Sequence, residues 1–149
     1  MKSLNSLQPL ALLVLRLAIG VIFLTHGYPK LMKSGAGMQT MFIQHGMPGY
    51  FVYVAGVLEV FGGGMLILGL FARAAGILLT IEMAVAIFKV HMTGGFMALH
   101  NYEFPLALAV ACFAIAAVGA GVISIDAAIF NEGSGSRSRS PKPSRRDRD

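Results

Sequence analysis

The sequence predicts an all-α fold, an integral membrane four-transmembrane-helix bundle with a short interfacial helix between the first and second spans and a disordered C-terminal tail. Hydrophobic residues make up 56% of the 149 residues, and the mean hydropathy is +0.70. Each of four apolar stretches is close to the length of about 20 residues that a helix needs to cross the hydrocarbon core. The last residues combine Arg, Ser and Pro, a composition that cannot bury a core.

Each apolar stretch has a helix signal or a turn signal at its boundary. The four predicted spans cover residues 9–27, 50–71, 73–90 and 104–125. Pro9 and Pro105 suit the first turn of a helix, and the second and third spans are joined by almost no loop, which predicts a tight antiparallel hairpin. The segment between the first two spans has apolar residues at helical spacing, which predicts the interfacial helix. We therefore expect a membrane domain over residues 1–130 and a disordered basic tail over residues 131–149.

Composition excludes several classes of function. Cys112 is the only cysteine, so neither an intramolecular disulfide nor a dithiol redox centre can form within one chain. The basic residues of the tail lack aromatic neighbours on which bases could stack, so no nucleic-acid partner is expected. The four histidines show no metal-ligand spacing and none lies in the middle of a span, so no metal site is predicted. Arg16 interrupts the first apolar stretch, which favours a retained helix over a cleaved signal peptide.

The distribution of basic residues predicts the orientation of the bundle. Residues 1–130 contain six Lys/Arg and four acidic residues, whereas residues 131–149 contain six Lys/Arg and three acidic residues. Together with Lys2 and Arg73, the tail outweighs Lys30, Lys33 and Lys89 at the other end. By the positive-inside rule both termini should be cytoplasmic.

Three of the four spans have one charged residue near the middle: Arg16, Glu59 and Glu82. A charge at this depth costs roughly 2.5–3.5 kcal/mol on insertion scales, so each is expected to have a partner or a task. We expect all three to point into the bundle at comparable depth. One interpretation is a structural ion pair between Arg16 and Glu59, and the other is a proton-handling or ligand-binding centre formed by all three.

Titratable and aromatic side chains gather at the end of the bundle opposite the termini. A quinone site would need an apolar slot with a few hydrogen-bond donors for the carbonyl oxygens. The candidate residues for such a site at this outer end are His26, Tyr28, Lys30, His100, Tyr102 and Glu103. No residues are assigned as catalytic.

A set of short motifs, in order through the four spans, resembles the DoxX family of small four-helix bacterial membrane proteins. The motifs are Leu15-Arg16-Leu17, His26-Gly27, Glu59 with Gly62-Gly63, Leu68-Gly69-Leu70-Phe71, Glu103-Phe104-Pro105 and Ser124-Ile125-Asp126. The resemblance covers about residues 10–130. It implies a multi-pass protein of the bacterial inner membrane and a role as a subunit of quinone-linked or oxidative-stress oxidoreductase complexes, and it supplies no catalytic residues.

Three functions remain in competition. The first is a membrane subunit or anchor of an oxidoreductase, with a quinone bound at the outer end and with soluble or membrane oxidoreductase subunits as partners. Because the sequence has no flavin or nicotinamide fingerprint, any such cofactor would belong to a partner. The alternatives are a small proton-coupled carrier, which would need to form a homo-oligomer, and a purely structural scaffold in the lipid bilayer.

Overall fold

The structure, a computed structural model, describes residues 6–33, 36–92 and 95–132, and these residues form helices and their connections without any strand. The helices are α1 (Gln8–Met32), α2 (Ala36–Gln44), α3 (Phe51–Leu68), α4 (Ala72–Ala86), α5 (Leu99–Val118) and α6 (Ile125–Glu132). A π-helical turn, Ile87–His91, continues α4. Residues 133–149, which include most of the predicted disordered tail, lie outside the described residues.

Four helices are long and apolar enough to cross a membrane: α1, α3, α4 with its π turn, and α5. Large apolar side chains such as Phe61, Phe88 and Phe113 are exposed on their outer surfaces, as expected for helices that face lipid. The predicted four-helix membrane fold is confirmed, and so is a short helix, α2, between the first two spans.

The predicted bounds of two spans, the first and the fourth, were wrong. Helix α1 continues beyond residue 27 to Met32, because Pro29 removes only one backbone hydrogen bond and the next turn still forms, with Lys33 N–H donating to Pro29 O. Helix α5 begins earlier and ends earlier than residues 104–125, because Gly119 adopts a positive φ of 95° and stops it. The short helix α6 that follows was not predicted.

The four spans form two closely packed pairs. Helix α1 packs along α3, and α4 packs along α5. The pairs meet more loosely, through α3 against α4 on one side and through α1 against α5 on the other. We call these two looser contacts the α3–α4 seam and the α1–α5 seam.

Glycines allow the close contact between α1 and α3. A Cβ atom on Gly20 would lie 2.7 Å from the Gly63 carbonyl oxygen, and a Cβ on Gly63 would lie 2.7 Å from the Gly20 carbonyl oxygen. The two backbones therefore touch, as small residues permit in membrane helices. Because any shift along the helix would bring larger side chains into this contact, the glycines also fix the register of the two helices.

This contact can be tested on two neighbouring glycines of α3. Gly63→Ala should lower the free energy of unfolding by about 1–3 kcal/mol, the usual cost of overpacking. Gly64→Ala is the matched control, because a Cβ at that position meets nothing within 4 Å; it should be neutral or slightly stabilising. Reversible unfolding in mixed micelles measures both changes. Equal losses in the two variants would contradict the proposed backbone contact.

Candidate functional site

Arg16 is buried at one end of the bundle, with 1% of its surface exposed. Its Nη1 donates to the carbonyl oxygen of Ala120, and its Nη2 donates to that of Ile123 at 2.8 Å. Both carbonyls belong to the connection between α5 and α6. The guanidinium lies against Gly69, where a Cβ atom would be only 2.5 Å from Nη1. Arg16 thus joins α1 to the turn after α3 and to the segment after α5.

Asp126, in the first turn of α6, completes this end of the bundle. Its Oδ1 accepts a hydrogen bond from Phe71 N–H at 2.8 Å and its Oδ2 accepts one from Ala72 N–H at 3.1 Å, which caps the start of α4. Its own N–H donates to Gly69 O at 3.0 Å. Asp126 also interacts electrostatically with Arg16. We call the region held by Arg16 and Asp126 the closed end.

The predicted ion pair between Arg16 and Glu59 was wrong. Arg16 lies beside Gly69, whereas Glu59 lies beside Gly27, whose Cβ position is 2.7 Å from Glu59 Cβ. Residues 16 and 27 are separated by about 16 Å along a helix at 1.5 Å per residue. The glycine contact fixes the register of α1 and α3, so the two charges lie at different depths instead of the comparable depth that the sequence suggested.

Glu59 pairs instead with Lys30, whose Nζ lies 2.6 Å from Glu59 Oε2. Glu59 is 3% exposed, and the Lys30 side chain is 23% exposed. Lys30 reaches this position because α1 continues through Pro29 to Met32. The predicted end of the first span, at residue 27, left Lys30 outside the helix, which is why the pair was missed.

Glu82 of α4 joins this pair. It interacts electrostatically with both Glu59 and Lys30. Its Oε2 is buried and has no hydrogen-bond partner within the described residues. We call Lys30, Glu59 and Glu82 the charged cluster. It contains two carboxyl groups and one ammonium group, so one carboxyl group is left without a cationic partner.

A cavity of about 270 Å³ lies at the α1–α5 seam, on one side of the charged cluster. We call it the α1–α5 cavity. Its polar lining is His26, Lys30, Glu59, His91 and Asn101, and its apolar lining is Ile22, Phe23, Met83, Ala86, Phe104, Pro105 and Leu108. His91 belongs to the π turn, a distortion that occurs frequently at functional sites.

A second cavity, of about 230 Å³, lies at the α3–α4 seam on the other side of the charged cluster. We call it the α3–α4 cavity. Its lining is apolar except for Lys30 and Glu82. Lys30, Met83 and Ala86 line both cavities and form part of the wall between them. The charged cluster therefore lies between two cavities of different character.

Of the six residues predicted for the outer-end site, two line the α1–α5 cavity. His26 is one of them; its Nδ1 is 2.8 Å from Ile22 O and its ring centre is 5.9 Å from that of Phe104. With Nδ1 donating to that carbonyl, Nε2 is the acceptor of the neutral ring. Lys30 is the second, and it is held by Glu59.

The other four predicted residues line neither of the two cavities. Tyr102 is buried and donates from its hydroxyl to Phe96 O at 2.7 Å, so it holds the connection before α5. Tyr28, His100 and Glu103 are exposed. His91 and Asn101 line the cavity but were not among the predicted residues, although both flank the connection between the third and fourth spans. Their position beside this connection was the feature of the sequence that could have identified them.

The separation of the two charged regions can be tested with a double-mutant cycle. Lys30→Met and Glu59→Leu should each lower the free energy of unfolding by about 1–3 kcal/mol, because each leaves a charge without its partner. The double variant should be more stable than the sum of the two losses predicts, with a coupling energy of about 1 kcal/mol or more.

The matched control is a second double-mutant cycle, which uses Arg16 in place of Lys30 as the residue combined with Glu59. Arg16→Met and Glu59→Leu should be additive within about 0.5 kcal/mol, because the two residues share no partner. Unfolding in mixed micelles provides both cycles. A larger coupling for the Arg16 cycle than for the Lys30 cycle would contradict the arrangement.

Comparison with known proteins supports the resemblance. The chain matches the DoxX family over residues 11–92. It is 36% identical over 107 residues to an uncharacterized protein of Haemophilus influenzae, covering 72% of this chain and 75% of the relative. It is 30% identical to the Bacillus subtilis protein named "Putative oxidoreductase CatD", covering 79% of this chain and 86% of the relative.

A third relative is the Escherichia coli "Inner membrane protein YphA", which is 30% identical and covers 80% of this chain and 90% of the relative. No solved structure matches the chain significantly. The four spans and these relatives make the chain a multi-pass bacterial membrane protein embedded in the lipid bilayer. The chain belongs to the DoxX family.

Proposed function

We propose that the protein is the membrane subunit of an oxidoreductase complex and that its α1–α5 cavity binds a quinone headgroup. The single observation that carries this proposal is the lining of that cavity, which combines the polar side chains of His26, His91 and Asn101 with seven apolar residues and the paired Lys30 and Glu59 inside a membrane bundle. A quinone needs this combination, because its ring is apolar and its two carbonyl oxygens accept hydrogen bonds.

The cavity offers a distinct role to each polar side chain. The Asn101 amide and a ring N–H of His91 supply donors for quinone carbonyl oxygens. His26 Nε2 supplies an acceptor for a quinol hydroxyl, because Nδ1 is engaged by Ile22 O. The ring of Phe104, beside His26, provides an aromatic wall for the quinone ring. Glu59 and Lys30 close the inner end of the cavity.

The relatives give independent support for redox chemistry. The name of CatD describes that protein as a putative oxidoreductase, and it aligns with most of this chain. The sequence has no flavin or nicotinamide fingerprint, so the electrons reach the quinone from a partner subunit that holds such a cofactor. In this assignment the chain supplies the quinone site and the membrane anchor.

Quinone retention tests the proposal. His26→Leu should weaken the binding of a short-chain quinone by about tenfold, the effect of losing one hydrogen bond of about 1.4 kcal/mol. His100→Leu is the matched control, because His100 is exposed and does not line the cavity. Calorimetric titration of the purified protein in mild detergent gives the dissociation constants, and lipid extraction gives the quinone that co-purifies. Equal binding by both variants and the parent would refute the site.

The proposal includes an orientation in the inner membrane, with the closed end and both termini in the cytoplasm. Its support is the excess of Lys/Arg near the closed end and in the tail. A reporter fused after Asp126 should then give a cytoplasmic signal, and one inserted at Gly46 should give a periplasmic signal. The reverse pattern would place the α1–α5 cavity near the cytoplasmic face.

A proton-coupled carrier is the second candidate function. The observation that favours it is the position of the charged cluster, since Lys30 lines both cavities and the carboxyl groups of Glu59 and Glu82 interact electrostatically beside them. Proton flux into proteoliposomes distinguishes the candidates. Flux that is lost in Glu82→Gln and unaffected by quinone would favour the carrier over the redox subunit.

A further inference from the structure

We infer that the α3–α4 cavity is a second ligand site, which binds a lipid-soluble molecule with a single ammonium head that pairs with Glu82. This inference does not depend on the quinone proposal, because it concerns a different cavity. It begins from the composition of the lining, in which twelve of fourteen residues are apolar or small and only Lys30 and Glu82 carry charge.

The two charged residues of the cavity differ in whether they already have a partner. Lys30 is already paired with Glu59 at 2.6 Å. The buried Oε2 of Glu82 has no hydrogen-bond partner within the described residues. A buried carboxyl oxygen without a partner is costly in a membrane, and such residues mark functional sites. Glu82 is therefore the group in this cavity that a ligand can complement.

Charge balance indicates the kind of ligand. When both carboxyl groups are ionised, the charged cluster has one negative charge in excess, because Lys30 is the one cation among its three members. The other titratable groups near it are His26, which interacts electrostatically with Glu59, and the Cys112 thiol, which interacts electrostatically with Glu82. A single ammonium group balances this excess charge, whereas a neutral head leaves it unbalanced unless a proton is taken up, and an anionic head increases it.

The mouth of the cavity indicates how the ligand arrives. Val54 of α3 and Leu78, Ile81 and Val85 of α4 line the cavity and are exposed on the outer surface of the bundle. This surface faces the hydrocarbon core of the membrane. A ligand with an apolar body therefore enters from the lipid through the α3–α4 seam, with its amine directed inward to Glu82.

A matched set of compact probes tests the inference: 1-adamantylamine, which is a monovalent cation at neutral pH, and 1-adamantanol, which has the same apolar cage without the charge. Calorimetric titration of the full-length protein in a nonionic detergent should give at least tenfold tighter binding of the amine. Glu82→Gln should remove this preference, while Glu103→Gln, which changes an exposed carboxyl outside the cavity, should retain it. Equal affinities for amine and alcohol in the parent protein would overturn the inference.

A second pair of variants locates the site without altering the charged cluster. Ala55→Phe should fill the cavity and abolish binding of the amine, because Ala55 lines it. Val57→Phe is the control, because Val57 is exposed on the same helix and does not line the cavity. Amine binding that survives Ala55→Phe would overturn the inference, and unfolding in mixed micelles shows whether this variant is still folded.

Discussion

The backbone contact between α1 and α3 is the constraint on which the rest of the structure depends. With Gly20 against Gly63, the two helices approach until their backbones touch, and their register is set. Every charged residue of α1 and α3 then has a fixed neighbour. Arg16 lies beside Gly69, and Gly27 lies beside Glu59. In lipid there is no hydrophobic force between helices, so this packing has to come from close contact of small residues.

The register also explains why the charges separate into two regions with different properties. At the closed end, Nη1 and Nη2 of Arg16 donate to the carbonyls of Ala120 and Ile123, and the Asp126 carboxylate accepts from the backbone N–H groups of Phe71 and Ala72. These contacts hold α1, the turn between α3 and α4, and the connection between α5 and α6 together. In the charged cluster, the buried Oε2 of Glu82 has no hydrogen-bond partner within the described residues, and a cavity lies on each side of the cluster. The closed end is therefore suited to stability, and the charged cluster is suited to binding.

The sequence was sufficient for the number and type of spans, because hydropathy and length report directly on membrane helices. It was insufficient for the pairing of charges, because that depends on the register of α1 against α3, which periodicity within one helix does not reveal. The error at Arg16 and Glu59 has this origin. The error at Lys30 has a different origin. The first span was predicted to end at residue 27, with Pro29 in the connection that follows, although a proline near the end of a helix removes only one backbone hydrogen bond. His91 was placed at the correct end, but the π turn that brings it to the cavity has no signal that could be read from the sequence.

Close packing within pairs and looser packing between pairs together account for the position of both cavities. Backbones touch where Gly20 meets Gly63 in the pair of α1 with α3, and where Gly76 approaches Cys112 in the pair of α4 with α5. The looser packing at the two seams leaves room beside the charged cluster, and each seam contains one of the two cavities. Since Lys30 lines both cavities, a ligand that attracts Glu82 changes the electrostatic surroundings of the Lys30 and Glu59 pair. The two proposed ligand sites would therefore be electrostatically coupled through the charged cluster, even though each lies at a different seam.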